Sequence, residues 1–403
     1  IKSQNEPVDI YVVNTCTVTH IADRKARQAL RAAKRLNPKA LIVATGCYAE
    51  RNPEALRNLK EVDFVAGNTA KGTLVNKVLS KLPKNIVPCS TGDDINTNDH
   101  TNDNSRTRAM VKIQEGCNQI CAYCIVPKVR GREKSIPTKI IISQIQSLVD
   151  KGFKEIVLTG TQLGTYGFDL PGVGLLELIK LILSQTDLLR LRISSLQPQE
   201  ISEEILALWD NPRLCPHFHI PLQSGSDRIL KLMRRRYSNR LFEQKVREIY
   251  SKIPDVSITT DVIVGFPGEE ESDFDQTYKL CNKAKFSSIH VFPYSSRPGT
   301  SASYFRNHIL DSDKKLRTHK LLDLSRSLVN LSREKSLGQT RPVLWEHSKY
   351  LNSLQIWYGL TDNYMRVYTE SALNLSNQIT PTLLNSNQDG LILGKLGSNI
   401  QTN

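Results

Sequence analysis

The chain has 403 residues, of which 39% are hydrophobic and 23% are charged. This composition excludes a disordered, collagen-like or membrane-spanning chain, and the length predicts two or three domains. The formal net charge is +14 and the isoelectric point is near 9.3. A chain this basic is expected to bind a polyanion, most simply a nucleic acid, and the lack of a long apolar run predicts no membrane partner.

The cysteines are too few for a disulfide scaffold and are unevenly distributed. There are eight in the chain, and three of them lie together within residues 117–124. Such clustering is typical of metal-binding thiolates in a reducing compartment, which predicts a cytoplasmic protein. Cys215 and Cys281 lie in a loop and a helix and are expected to be ordinary buried thiols.

The first 85 residues alternate strand and helix patterns, with strands predicted at 9–16, 41–47 and 63–68. Apolar strands alternating with helices predict a parallel sheet covered on both faces. Cys16 and Cys47 lie at the carboxyl ends of the first two predicted strands, at the sheet edge where ligands gather in α/β folds. The first helix is strongly basic and predicts either a solvated face or phosphate contact. Its cations are Arg24, Lys25, Arg27, Arg31, Lys34 and Arg35.

Composition also predicts the domain limits. Residues 89–108 are rich in Asn, Asp and Thr and almost free of apolar side chains, which is typical of a linker, and we place this linker at 86–108. The linker separates an N-terminal α/β domain, 1–85, from a second α/β domain, 109–338. After Gly338, short strand patterns between turn residues predict a small β-barrel over 339–403.

Six apolar strand patterns alternate with helices in the second domain. Six strands are too few for a closed eightfold barrel, so a partial (β/α) barrel and a doubly wound sheet are both open. In either fold, function should cluster at the carboxyl ends of the strands, where Cys117, Gly160, Ser195, Gln223, Gly265 and Ser295 lie. The predicted strands are 109–116, 155–160, 188–195, 217–222, 257–266 and 288–295.

The strongest chemical motif is the spacing of Cys117, Cys121 and Cys124 directly after the first of these strands. Three thiolates bind iron–sulfur clusters or zinc, and iron–sulfur clusters normally take four cysteine ligands. The lack of a nearby fourth ligand leaves one metal position open for a substrate or cofactor, as in catalytic sites. The alternative is a structural zinc site completed by a distant donor, either Cys215 or His217.

The segment CNQICAYC (117–124) resembles the motif of radical S-adenosylmethionine (SAM) enzymes, which fold as a partial (β/α)6 barrel. The resemblance implies that its three cysteines hold a [4Fe–4S] cluster that binds SAM and cleaves it to a 5′-deoxyadenosyl radical. It also implies SAM contacts near the strand ends, although Gly265 could be a plain turn glycine and His219 a buried structural histidine. The predicted SAM-binding residues are Tyr123, Gly160, Gln162, Ser195, His219, Gln223, Ser224 and Gly265.

Further motifs together resemble the methylthiotransferases, which combine an N-terminal cluster-binding domain, a radical SAM domain and a C-terminal TRAM β-barrel. The pattern is most similar to the branch that adds a 2-methylthio group to N6-threonylcarbamoyladenosine beside the tRNA anticodon. Methylthiotransferases of isopentenylated adenosine or of a ribosomal-protein aspartate are alternatives. From another class, a non-catalytic RNA-binding protein with a structural metal is also open. The motifs are NTCTVT (14–19), TGCYAE (45–50), EGCNQICAYCIVPKVRGREKS (115–135), PLQSGSDRILKLMRRRY (221–237), TDVIVGFPGE (260–269), PYSSRPGT (293–300) and GLTDNYMRV (359–367).

The same resemblance implies a second [4Fe–4S] cluster held by three N-terminal cysteines, of which Cys16 and Cys47 match. The family's first cysteine precedes the strand at which this sequence begins. We therefore expect either an N-terminally shortened chain or a natural variant with an impaired cluster, with Cys89 as a substitute ligand. The implied partners are the tRNA anticodon stem-loop and an electron donor such as flavodoxin or ferredoxin.

The C-terminal domain is expected, by resemblance, to hold RNA, although it carries as many acidic as basic side chains. Phosphate binding requires cations, so we expect the basic N-terminal helix to supply much of the attraction. Aromatic side chains in the predicted barrel either stack on bases or form its core. They are Trp345, Trp357, Tyr358, Tyr364 and Tyr368.

Overall fold

The computed structural model describes residues 8–80, 107–352, 354–388 and 390–397. The chain divides into two compact units, and the first of them contains the described residues 8–80, 123–132 and 295–303. The second unit contains the remaining described residues. The predicted linker lies outside the described residues, apart from its last two positions. Within the described ranges, no helix combines the length and the apolar character that crossing a membrane requires.

The first unit has the predicted parallel sheet, with its three strands in chain order. Its long basic helix begins where the Thr19 side chain accepts a hydrogen bond from the Ala22 amide, which caps the first turn. Leu30 on this helix packs with Ile42 and Leu56 in an apolar cluster. The elements are β1 Ile10–Thr15, α1 His20–Leu36, β2 Leu41–Gly46, α2 Cys47–Arg51, α3 Pro53–Arg57, β3 Phe64–Ala66, α4 Leu74–Leu79 and, from a later part of the chain, α5 Val126–Arg130.

The second unit begins with six parallel strands alternating with helices. The main strands are β4 Arg108–Lys112, β7 Glu155–Thr159, β8 Arg190–Ile193, β9 His217–His219, β10 Ser257–Val264 and β11 Ser288–Pro293, and a short hairpin is formed by β5 Gln114–Glu115 and β6 Lys134–Ser135. The helices are α6 Thr138–Asp150, α7 Leu175–Gln185, α8 Glu203–Ala207, α9 Asp227–Leu232, α10 Asn239–Lys252, α11 Glu271–Ala284 and α12 Asp311–Ser336.

The order of these strands decides between the two predicted folds. Strands β4, β7 and β8 form one sheet and β9, β10 and β11 another, and parallel bridges from Leu191 to Leu214 and from Ser195 to His219 join them. The six strands therefore follow one another in chain order without the reversal of a doubly wound sheet. This confirms the partial (β/α)6 barrel.

Some predicted strands are shorter in the structure. The pattern at 109–116 divides at Ile113, because β5 leaves the parallel sheet and pairs antiparallel with β6. The pattern at 217–222 ends as a strand at His219. Both changes occur where the chain passes from the strand into a loop of candidate site residues.

The two faces of the six-stranded sheet differ in chemistry because side chains alternate along a strand. Val111, Ile156, Leu191, Ile258 and Ile289 belong to one large apolar cluster with the surrounding helices. The opposite side, which we call the inner face, carries many polar and charged groups. They include Arg108, Glu155, Arg190, Arg192, His217, His219, Asp261 and His290.

The C-terminal residues of the second unit form the predicted small barrel, which closes in the order β12-β13-β14-β16-β15. Trp345 and Trp357 are buried in its core, as one of the two readings of the aromatic side chains predicted. Tyr358 instead stacks on His347, with ring centroids 5.3 Å apart. The strands are β12 Thr340–Leu351, β13 Leu354–Thr361, β14 Arg366–Glu370, β15 Ile379–Gln388 and β16 Leu391–Leu396.

A buried ion pair lies where this barrel meets the inner face. Arg192 donates from Nε to Glu155 Oε1 at 2.7 Å, and both side chains are buried. The barrel supplies Tyr364, whose ring lies 4.9 Å from the Arg192 guanidinium and stacks on His217 at 4.5 Å. Burial lowers the pKa of His217 well below its ordinary value, so this ring is neutral. Arg190 completes the contact by donating to the Leu360 and Pro342 carbonyls.

Removal of the Glu155 charge should strongly destabilise this junction. Glu155→Gln leaves the Arg192 charge buried without its carboxylate, and such a loss costs about 3–5 kcal/mol in the free energy of unfolding. Urea denaturation of the full chain measures the change. The control is Glu54→Gln, which removes an exposed partner of Arg57 and should cost less than about 1 kcal/mol. A Glu155→Gln loss no larger than that of the control would contradict the assignment.

Candidate metal and cofactor site

The loop after β5 carries Cys117 and Cys121 in the second unit. Cys117 is buried, which raises the pKa of its thiol, and its sulfur accepts a hydrogen bond from the Gln119 amide at 3.4 Å. Asn118 and Glu133 fix the loop reciprocally. The Asn118 amide donates to Glu133 Oε1 at 3.0 Å, and the Glu133 amide donates to Asn118 Oδ1 at 3.3 Å. The loop therefore presents its thiols from an ordered backbone.

A guanidinium approaches the second of these thiols. Arg235 donates from Nη1 to Cys121 Sγ at 3.3 Å and from Nη2 to Gln197 Oε1 at 3.0 Å. Its guanidinium also lies 4.9 Å from the centre of the Tyr237 ring. A nearby cation favours the thiolate form of cysteine, which is the form that binds metals. The sequence analysis missed Arg235, because nothing in the run MRRRY (233–237) indicates which arginine turns toward the cysteine loop.

One predicted SAM-binding residue, Gln162, belongs to a hydrogen-bond chain that continues from Arg235. Gln197 donates to Gln162 Oε1 at 2.6 Å, and Gln162 donates to Glu200. Burial raises the pKa of Glu200. Gly160 lies against the backbone and side chain of Gln114, both of which an added Cβ would approach to 3.2 Å. The structure thus places Gly160 and Gln162, which follow β7, against Gln114 on β5, the strand that precedes the cysteine loop.

Gly265 and Gln223 lie in sharp turns at other strand ends. Gly265 has φ +72° and leaves no room for a side chain, because an added Cβ would lie 2.1 Å from Lys314 Cγ. Its amide donates to Glu269 Oε2 at 2.7 Å. Gln223 has φ +64° and donates from its amide to the Asp261 carbonyl at 2.8 Å. The positive φ of Gly265 and its close packing against Lys314 are therefore sufficient to explain a glycine at this position.

The remaining strand-end residues differ in accessibility. Ser195 is exposed just beyond β8. Ser224 is fully buried, and its Oγ lies 3.4 Å from Thr277 Oγ1 on α11. The Ser224 hydroxyl therefore already has a structural partner, whereas Ser195 is open to a ligand.

His219 belongs to a cluster on the inner face. Its Nε2 lies 3.2 Å from Asp261 Oδ2, and His290 Nδ1 lies 3.3 Å from Asp261 Oδ1. Among the described residues, this is the one group of three possible metal-ligating side chains whose ligand atoms lie within 4.8 Å of one another. Burial would raise the pKa of Asp261, but the two histidines outweigh it and lower the pKa to about 2. The hydrogen bond to Asp261 raises the pKa of His290.

Asp261 and His290 were missed because they come together only across neighbouring strands. Asp261 is the one charged residue of the pattern 257–266 and His290 is the one histidine of the pattern 288–295, and the sequence shows neither strand register nor face. The register pairs Asp261 directly with His290. An ionisable residue in each of two successive strand patterns was the available signal, but strand order had to be known before it could be used.

The first unit contains the two N-terminal cysteines at the strand ends where they were predicted. Cys16 follows β1 and is exposed, whereas Cys47 follows β2 and is buried. The Cys47 sulfur accepts hydrogen bonds from Asn68 Nδ2 and Arg130 Nε, both at 3.5 Å. An arginine that follows the cysteine motif in sequence therefore supports a thiol in this unit.

The loop after Cys16 is held by a buried ionic cluster. Asp23 accepts hydrogen bonds from the Thr17 hydroxyl at 2.6 Å, from Arg51 at 2.9 Å and from Arg297 at 2.7 Å. Arg297 is itself fully buried and also donates to the Thr17 carbonyl at 3.2 Å. The segment 295–303 thus fixes the backbone next to Cys16.

Tyr123 and Cys124, the last residues of the cysteine motif, are both partly buried and open the segment 123–132 of the first unit. The donor set that results from the whole motif is three thiols within eight residues. N–H groups directed at sulfur, as seen at Cys117 and Cys121, are typical of iron–sulfur ligands and help to set the cluster potential. The residues present therefore fit an iron–sulfur cluster.

The thiols outside the motif differ from these. Cys215 and Cys281 are buried as predicted, and burial raises the pKa of each to about 12. Cys215 contacts Glu155, and His217 contacts Thr259 and Tyr364. Both proposed zinc donors are thus occupied in the junction with the C-terminal barrel. Cys89 lies outside the described residues.

Comparison with known proteins agrees with this geometry. Residues 111–281 match the Radical SAM superfamily, and residues 1–67 match Uncharacterized protein family UPF0004. The fold is similar to that of the radical S-adenosylmethionine methyltransferase TsrM from Kitasatospora setae, with a TM-score of 0.51 and 12% identity over 70% of this chain and 61% of that one. At this identity the likeness concerns the fold alone.

Two relatives are similar over most of their length. The threonylcarbamoyladenosine tRNA methylthiotransferase MtaB of Aquifex aeolicus is 40% identical over 377 residues, covering 92% of this chain and 90% of its own. The tRNA-2-methylthio-N(6)-dimethylallyladenosine synthase of Dictyoglomus thermophilum is 36% identical, covering 92% and 86%.

The barrel, the cysteine motif and the superfamily match define a radical SAM enzyme. Such enzymes use a [4Fe–4S] cluster and SAM, and the methylthiotransferases among them carry a second cluster. Within that class, the chain belongs to the threonylcarbamoyladenosine tRNA methylthiotransferase family and is a transferase. Membership of this enzyme family excludes the alternative of a non-catalytic RNA-binding protein.

The pairing with Asp261 predicts how the His290 ring titrates. In the native chain, NMR should give a His290 pKa above 6.5, and Asp261→Asn should lower it because the carboxylate is lost. The stabilisation from this pair is present below pH 6.5 and disappears as the pH rises through the folded-state pKa. The control is Asp323→Asn, at an exposed carboxylate on α12, which should leave the His290 pKa unchanged. An unchanged His290 pKa in Asp261→Asn would contradict the pairing.

Proposed function

We propose that this protein adds a 2-methylthio group to N6-threonylcarbamoyladenosine in the anticodon stem-loop of tRNA. The observation that carries the proposal is the 40% identity, over nearly the whole length of both chains, to a relative named for that activity. The basic charge of the chain and the exposed cations of α1 suit an RNA substrate. The reaction would take place in the cytoplasm, where tRNA is found.

Cys117, Cys121 and Cys124 would hold the SAM-binding cluster. When bound, this cluster and SAM supply a 5′-deoxyadenosyl radical, which removes hydrogen from an aromatic C–H that acid–base chemistry cannot activate at neutral pH. The protein's part is to fix the cysteine loop through Asn118 and Glu133 and to keep the sulfurs near N–H donors. Arg235 supplies the charged donor.

Eight residues would contact SAM in this proposal, and their surroundings suggest different roles. Gln162 belongs to the network that reaches Arg235, and Gly160 packs against Gln114, so both would orient the ligand beside the cysteine loop. Gly265 and Gln223 would contribute packing contacts at sharp turns, because their amides already donate to Glu269 and Asp261. Ser195 would contribute its exposed side chain, and His219, whose ring nitrogens contact Asp261 and Thr259, would contribute ring contact only. The remaining two are Tyr123 and Ser224, the second of which would act through its backbone because its hydroxyl faces Thr277.

Cys16 and Cys47 would help to hold the second cluster, which would supply the sulfur for transfer. Arg130 and Asn68 already direct N–H groups at the Cys47 sulfur, as expected for a thiolate ligand. A low-potential electron donor, such as flavodoxin or ferredoxin, would reduce the enzyme for turnover.

A second substrate is favoured by one observation. Relatives named for dimethylallyladenosine are also 34–36% identical over most of the chain. Hairpin RNAs bearing each modified adenosine, incubated with anaerobic enzyme, SAM and reductant, separate the two. We expect the 2-methylthio product, read by mass spectrometry of nucleosides, with threonylcarbamoyladenosine. Product only with the dimethylallyl hairpin would reject the proposed substrate.

Changing Cys117, Cys121 and Cys124 together to Ala should remove about four iron atoms per chain, because a [4Fe–4S] cluster needs these ligands. 5′-Deoxyadenosine formation should then disappear. Iron analysis and chromatography measure the two effects. The matched control is Cys281→Ala, a buried thiol on α11 that should leave both unchanged. Retention of iron and of SAM cleavage in the triple variant would contradict the ligand assignment.

Arg235→Met should lower the reduction potential of the SAM-binding cluster, since the reduced cluster is more negative and loses a charged hydrogen bond. If that bond favours the reduced state by about 1.4 kcal/mol, the shift is about 60 mV for one electron. Potentiometric EPR titration measures it. The exposed neighbour Arg236 provides the control as Arg236→Met. Equal potentials in the two variants would show that Arg235 does not act on the cluster.

A further inference from the structure

His290 lies on the part of the inner face that is open to ligands. On β11, Ile289 and Val291 pack toward the apolar cluster, so His290 and Phe292 project from the other side. The His290 side chain is 55% exposed, and Met110 on β4, also on the inner face, is 77% exposed. This region therefore offers accessible surface within the second unit.

The cluster around Asp261 leaves His290 equipped to bind an anion. Asp261 engages Nδ1 of His290, so the protonated ring has its second N–H, at Nε2, for a ligand. His219 binds the other oxygen of the same carboxylate, and its own Nδ1 contacts Thr259 Oγ1 at 2.9 Å. Two imidazoles thus share one carboxylate, and the rings lie 5.6 Å apart.

Other cations on the inner face have partners of their own. Arg192 is buried against Glu155, and Arg190 donates to two carbonyls of the C-terminal barrel. Arg108 pairs with Glu346 at 2.6 Å, and Lys112 pairs with Glu115 at 2.7 Å. The three arginines are largely buried, and Lys112, which is as exposed as His290, holds the Glu115 carboxylate by itself. His290 differs from both because its side chain is half exposed and it shares the single Asp261 carboxylate with His219.

The proposed substrate carries the group that such a ring recognises. The N6 substituent of threonylcarbamoyladenosine ends in a carboxylate, whereas a dimethylallyl substituent is a hydrocarbon. An ionised carboxylate that leaves water needs a charged hydrogen-bond donor, and imidazolium supplies one. A hydrocarbon at the same place would desolvate the ring without compensation, which disfavours it.

We propose that His290, oriented by Asp261, binds the carboxylate of the threonylcarbamoyl substituent and so selects this substrate. The inference rests on the proposed function, which supplies the substrate class, and it adds the residue that recognises the carboxylate of that substrate. His219 and Asp261 position the ring, and His290 makes the contact.

The test compares two hairpin RNAs of one sequence, one with threonylcarbamoyladenosine and one in which its carboxylate is replaced by a carboxamide. Fluorescence anisotropy at pH 6 gives the affinity of the anaerobic holoenzyme for each. We expect the native protein to bind the carboxylate hairpin about tenfold more tightly. His290→Gln should reduce this preference to less than about twofold, by weakening the carboxylate hairpin alone. His290→Lys should keep the preference, and so should the control His319→Gln on α12.

Several results would overturn the inference. They are equal affinities for both hairpins in the native protein, an unchanged preference in His290→Gln, and equal weakening of both hairpins in that variant. Methylthiolation by the native protein is measured in parallel. Its absence from the threonylcarbamoyl hairpin would reject the proposed function, whereas its presence with an unchanged preference in His290→Gln would reject only the role of His290.

Discussion

The candidate site depends on keeping the cysteine sulfurs of the loop after β5 beside N–H donors. Buried thiols resist ionisation, as the raised pKa of Cys117 shows, so a thiolate ligand needs local compensation. The Gln119 amide provides it at Cys117, and the Arg235 guanidinium provides it at Cys121. Metal binding supplies the rest of the free energy for deprotonation.

The same guanidinium connects the cysteine loop with the strand ends around it. Through Gln197 it reaches Gln162, whose backbone is held by Gln114 on β5. A ligand contacting Gln162 and a cluster bound at Cys121 would therefore share one rigid network. In the first unit Arg130 repeats the arrangement at Cys47, so both groups of candidate ligands use an arginine to support a sulfur.

The inner face of the six-stranded sheet is divided between stability and recognition. Toward the strand starts, Glu155 and Arg192 form a buried pair that Tyr364 of the C-terminal barrel covers. Farther along, His219, Asp261 and His290 form a polar cluster with an exposed edge. The Glu155–Arg192 pair stabilises the junction with the C-terminal barrel, whereas the cluster around Asp261 has hydrogen-bond donors that a substrate can reach.

Much of this organisation was predictable because the signals are local in the chain. The spacing of Cys117, Cys121 and Cys124 and the alternation of six strands with helices required no tertiary information. Arg235, Asp261 and His290 were missed because each acquires its role from a partner that is distant in sequence. Ser224 was predicted to contact SAM from its position in a strand-end motif. The sequence gave no indication that its hydroxyl would instead form a hydrogen bond with Thr277, which is also distant in sequence.

The most direct test of the account is the EPR spectrum of the reduced protein in which Cys16 and Cys47 are both changed to Ala. We predict a [4Fe–4S] signal from the remaining cluster that changes when SAM is added, because the three cysteines of the motif would leave the cluster a position at which SAM could bind. A protein that contains zinc, or a cluster signal that SAM leaves unchanged, would contradict the central claim.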